Sequence, residues 1–103
     1  MDYSNFTVRW YRTSEPSRPL EYTTRMEAYK TGGILPDYTV EAFINSQSVT
    51  VGIIPTVRLY EYLDRVGDLC PKIIMSNRDD VVYFKCVPFH SVKKHLETFT
   101  HYF

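Results

Sequence analysis

Apolar and polar positions alternate cleanly in three stretches and take a helical period in two others. From Asn5 to Thr13, Phe6, Val8 and Trp10 fall on one side and Thr7, Arg9, Tyr11 and Thr13 on the other. That period of two marks a strand with one face inward. Val49-Thr50-Val51-Gly52-Ile53-Ile54 is a second, β-branched run, ended by Pro55, which has no N–H to give a ladder. Lys72–Ser76 and Val81–Val87 are apolar runs around the polar Asn77-Arg78-Asp79-Asp80. Pairing residue 76 with 81 makes a hairpin in which Met75 faces Val82, Ile74 faces Tyr83 and Ile73 faces Phe84.

The helical period is clearest over about 56–66. Leu59, Tyr60, Leu63 and Val66 share one side, flanked by Tyr62, while Arg58, Glu61 and Arg65 lie opposite. Thr56 is placed to cap the start, Glu61 and Arg65 are in the favourable i,i+4 order, and Gly67 follows the last apolar position. A second amphipathic helix is expected at about 90–102, where Val92, His95, Leu96, Phe99, Tyr102 and Phe103 fall on one side of the wheel.

Two segments fit both periods. Leu20, Tyr22, Thr24, Met26 and Ala28 alternate as a strand, yet Thr24-x-x-Glu27 and Gly32-Gly33 are helix punctuation. Tyr38, Val40, Ala42 and Ile44 alternate, yet Pro36-Asp37 would also open a helix. The longer alternation favours a strand in each: residues 20–30 hairpinned to the first strand, and 37–46 turning at Ser46-Gln47 into the second. The sum is an α+β fold: a mainly antiparallel sheet of five or six strands with the helices 56–66 and 90–102 packed on one face.

A chain of 103 residues is one compact domain by length, 1–103. With 44% apolar residues it should fold around a core. No apolar run approaches the ~18 residues of a membrane span, and the opening residues lack a signal-peptide core, so a cytoplasmic protein is expected. Two cysteines suit a reducing compartment.

Catalytic and cofactor chemistry find no footing. Cys70, Cys86, His90 and His95 lack the paired spacing of a zinc site, so no metal is expected. Asp79-Asp80 reads as turn chemistry, and Asp64 with Asp68 as a solvated helix end. Gly32-Gly33 lacks the lysine and helix of a phosphate loop, so no cofactor is expected. A Cys86–His90–aspartate relay fails because the turn aspartates lie at the far end of the strand, roughly 20 Å away.

What remains is binding. Nine Tyr, one Trp and an excess of Arg over Lys match the side chains enriched at protein interfaces. Candidate contact residues are Arg9, Tyr11, Arg25 and Tyr29 on the outside of the first hairpin, and Arg58, Tyr62 and Arg65 on the central helix. The expected function is a non-enzymatic protein-binding module, of the kind found among small viral or mobile-element accessory and inhibitor proteins that cover a partner's surface. An unpaired sheet edge or the tyrosine face would also allow a homodimer. The alternative is single-stranded nucleic acid on the Arg9-Trp10-Tyr11-Arg12 face. Zero net charge weighs against that alternative.

Overall fold

The computed structural model describes residues 5–67, 72–77 and 80–103. Along the chain run β1 (Asn5–Arg12), α1 (Glu21–Thr31), β2 (Tyr38–Ile44), β3 (Ser48–Pro55) and α2 (Thr56–Val66). They are followed by β4 (Lys72–Asn77), β5 (Asp80–Pro88), a 3-10 helix (Phe89–His95) and β6 (Glu97–Tyr102). The α+β class and antiparallel pairing hold. The strands divide into two three-stranded sheets, ordered β1-β5-β4 and β2-β3-β6. Among the described residues no helix is long and apolar enough to cross a membrane.

The hairpin of β4 and β5 has the expected register, with Met75, Ile74 and Ile73 opposite Val82, Tyr83 and Phe84. β2 and β3 form the expected second hairpin, closed by Asn45, whose Oδ1 accepts from the Gln47 and Ser48 N–H groups at 2.8 and 2.9 Å.

Residues 20–30 are helical, contrary to the strand favoured above. Tyr22, Met26 and Tyr29 recur at helical spacing and turn to the core, where Met26 is buried. Glu21 and Arg25 pair across one turn at 3.2 Å, and Gly32, at φ 73°, closes the helix in the left-handed region. β1 pairs antiparallel with β5 and stands at the edge of its sheet, and no first hairpin forms.

The helix expected at 90–102 is replaced by the 3-10 helix and β6. Val92, at φ −121° and ψ 21°, interrupts the helical backbone. Beyond it, Thr98 and Thr100 alternate with Phe99 and His101, and pairing with β3 satisfies polar groups along an otherwise open edge. The helical stripe in the sequence is real, but its last members alternate equally well, and the free edge decides.

α2 spans the expected residues. Pro55 occupies the cap position, however, and Thr56 makes no side-chain cap. Its buried hydroxyl instead meets the Thr39 hydroxyl at 2.8 Å, tying β2 to the helix start. Glu61 pairs with Arg58 at 3.1 Å and not with Arg65.

The core lies between the sheets and helices. Phe6, Val8 and Val87 come from β1 and β5, Ile54 from β3, Leu59, Tyr60 and Leu63 from α2, and Phe89 and Val92 from the 3-10 helix. Phe89 is the hinge of this packing. Its ring lies 4.7 Å from that of Phe6 and 5.7 Å from that of Phe43, and it covers Gly52 so closely that a Cβ there would stand 2.2 Å from Cζ. The two sheets are joined by Glu41 of β2, whose Oε1 accepts from the Thr7 N–H at 3.0 Å and the Thr7 hydroxyl at 2.9 Å.

Candidate functional site: the outer face of the second sheet

Registry fixes which side chains of the β2-β3-β6 sheet share a face. Val40, Ile53 and Glu97 form one row, Ala42, Val51 and Phe99 the next, and Ile44, Val49 and His101 the third. Tyr38 opposite Pro55 extends the face at one end, and Phe103, whose ring is 6.0 Å from that of His101, extends it at the other. Because side chains alternate, the other face carries Thr39, Glu41, Ser48, Thr50, Gly52, Thr98 and Thr100, with Phe43, Ile54 and the exposed Tyr102.

The usual polarity is inverted. Along β2 and β3 the face turned to the body of the protein carries Thr39, Glu41, Thr50 and Gly52 and the outward face valine, isoleucine and tyrosine; β6 is exposed on both faces. The inward polar groups have partners: Thr39 with Thr56, Glu41 with Thr7, and Thr50 with Thr100 at 3.1 Å. The outward apolar groups stand in the open: Tyr38 is 64% exposed, Val40 58%, Ile44 76% and Phe99 58%. At the Tyr38 end, Tyr38, Ile53, Pro55, His95 and Glu97 line a depression of about 430 Å³. A scattered exposed side chain is ordinary; a contiguous apolar face is not.

The residues singled out by composition lie elsewhere and divide differently than expected. The pairing of β1 with β5 carries a bulge at Trp10: Arg9 opposes Phe84 while Tyr11 opposes Tyr83. The extra residue turns Tyr11 onto the side of Trp10, with their rings 6.4 Å apart and Tyr83 5.7 Å from Tyr11. Arg9 and Tyr11 therefore separate, against the alternation read from the sequence. Trp10 is half-buried and not a core residue; the Lys85 ammonium sits 4.7 Å from its ring and 4.5 Å from that of Tyr22.

Arg9 and Arg25 do come together. With Arg18 they line a groove beside Leu20, but Arg25 arrives on α1 and already holds Glu21. Tyr29 is half-buried and packs against the core. Arg58, Tyr62 and Arg65 stay together, in a cleft of about 330 Å³ that also takes in Ser91, Lys94 and His95. There the Arg65 guanidinium lies 5.5 Å over the Tyr62 ring.

Among the described residues no three His, Cys, Asp or Glu side chains converge as a metal site would require. Cys86 is buried; Asp68, Cys70, Arg78 and Asp79 lie outside the described residues. The signal for the apolar face was present in the sequence. Val40, Ala42 and Ile44 alternate with Thr39, Glu41 and Phe43, and Val49, Val51 and Ile53 with Thr50 and Gly52, so one face was bound to be the more apolar; that it is the outer one depends on where Phe89 and Ile54 pack. Comparison of the chain with protein families, with curated proteins and with solved structures finds no match.

Proposed function

We propose that the chain is a non-enzymatic protein-binding module, an accessory protein that acts by covering a partner's surface, and that its binding surface is the outer face of β2, β3 and β6. The observation that carries this reading is the inverted polarity of that sheet. Water contact with so much aliphatic and aromatic surface is unfavourable by about 25 cal/mol per Å², and association removes it.

The test is a pair of outward charges. Val40→Lys with Phe99→Lys should abolish association while far-UV circular dichroism and melting temperature stay at the parent's values, since both side chains are more than half exposed. A complex that survives the double substitution, nuclease treatment and moderate salt in unchanged yield sinks the reading.

A second reading has one observation in its favour: Arg9, Arg18 and Arg25 share a groove on the far side of α1. Single-stranded nucleic acid would place phosphates there. Binding would then weaken steeply with salt, and Arg9→Ala with Arg25→Ala would flatten that dependence. A salt-independent complex excludes it.

A further inference from the structure

We propose that the occupant of the outer face is a second copy of this chain, packed sheet against sheet about a two-fold axis that crosses the strands along the Ala42–Val51–Phe99 row. This rests on the docking role argued above and names the partner.

The face is complementary to itself in this one arrangement. A two-fold lying in the interface and perpendicular to the strands exchanges the rows on either side of Phe99. Val40 and Ile53 then lie over the partner's Ile44 and Val49, apolar on apolar. Glu97 and His101, the two polar groups of the face, lie two positions either side of Phe99. The same operation sets Glu97 against the partner's His101, twice over. A two-fold parallel to the strands would instead bury Glu97 over aliphatic side chains without a partner, which is strongly unfavourable.

The ends match as well. Phe103 projects from the His101 end of the face, 74% exposed, and the Tyr38 end holds the depression of about 430 Å³. The axis carries each Phe103 to the partner's depression. Self-complementarity of this kind defines an isologous dimer.

The area suffices. At the exposures above, and with side-chain areas of roughly 150–250 Å² for the aromatics, each copy offers on the order of 700 Å². Two copies reach about 1,400 Å², within the range of specific interfaces and above that of most lattice contacts. Packed sheets spaced about 10 Å apart and crossed by about 30° accommodate the twist.

Sedimentation equilibrium of the full chain tests this. The parent should show twice the 12.2 kDa chain mass. Phe99→Asp should give a folded monomer by circular dichroism. His101→Glu should weaken the dimer at least about tenfold by facing two carboxylates at each end, and adding Glu97→Lys should restore it. Within one chain those two residues are about 13 Å apart along the strand, so rescue has to act between copies.

A monomeric parent overturns the proposal, as does a dimer indifferent to Phe99→Asp. A monomeric parent that takes up a different protein, and loses it on Phe99→Asp but not on His101→Glu, refutes the second copy and leaves the docking role standing. If neither association nor uptake responds to Phe99→Asp, both fail.

Discussion

Adding a single methyl group at Gly52 should unfold this protein more readily than any exposed substitution. Gly52 is in β3, and its backbone needs nothing that only glycine can adopt, since among the glycines φ is positive at Gly32 and Gly67 and not here. On general grounds, then, Gly52→Ala should stabilise a strand by roughly 0.5–1 kcal/mol through reduced backbone entropy in the unfolded chain. Packing argues the opposite. The new Cβ would stand 2.2 Å from Phe89 Cζ and 2.5 Å from Cε2, far inside van der Waals contact. The ring cannot step aside, because Phe6 and Phe43 hold it and it is only 6% exposed. Overpacking of this kind costs about 1–3 kcal/mol, so the net loss should be about 1–2 kcal/mol. In a domain of this size that lowers the melting temperature by roughly 5–15 °C. Urea denaturation followed by circular dichroism measures it. The double variant with Phe89→Leu should recover part of the loss relative to additivity, since the smaller side chain vacates the site. A Gly52→Ala protein as stable as the parent, or more so, would refute the packing of the 3-10 helix on β3.

Two further predictions concern one half-buried and one buried polar group. Glu41→Ala removes the acceptor for both the Thr7 N–H and its hydroxyl and should cost about 1–2 kcal/mol, discounted for the half-exposed site; a double-mutant cycle with Thr7→Val should show coupling. A loss below about 0.5 kcal/mol would detach the two sheets from that carboxylate. Tyr60 is fully buried, and burial first, then the nearby Glu21 charge, pushes its hydroxyl well above the ordinary tyrosine range, with Arg25 working against them. A raised folded-state value contributes stability that is whole below the unfolded value, near pH 10, and is lost as pH rises above it. The parent should therefore lose about 1.4 kcal/mol per pH unit from this group above about pH 10, and Tyr60→Phe should flatten that limb in alkaline urea titrations. Parallel alkaline limbs would contradict the buried phenol.

How much was legible follows from how many periods each segment satisfied. α2 has one period, a proline before it and a glycine after it, and its boundaries could be read to the residue. The β4–β5 hairpin likewise announced its register through two apolar runs about a polar turn. Residues 20–30 satisfied both periods, and residues 90–102 carried a helical stripe that their tertiary setting overrode. The first became a helix because Tyr22, Met26 and Tyr29 meet the core at helical spacing, with Met26 buried. The second became a strand because β3 had an edge to fill. These are decisions of packing and pairing between residues tens of positions apart.

The candidate surface divides the same way. Chain pattern alone determined that β2 and β3 would each carry one apolar face, Val40, Ala42 and Ile44 on the first and Val49, Val51 and Ile53 on the second, and one more polar face, because side chains on a strand must alternate. It also determined that Arg58 and Arg65 would share the exposed side of α2, with Tyr62 at its margin against the core. Only the tertiary structure decided which face of the sheet meets water. Phe89 seats on Gly52, the one inward position without a side chain, and Glu41 and Thr39 find their partners on β1 and α2. Those contacts turn the threonine side inward and leave Val40, Ile44 and Phe99 outside. A strand's alternation fixes the pair of faces, and long-range packing chooses between them.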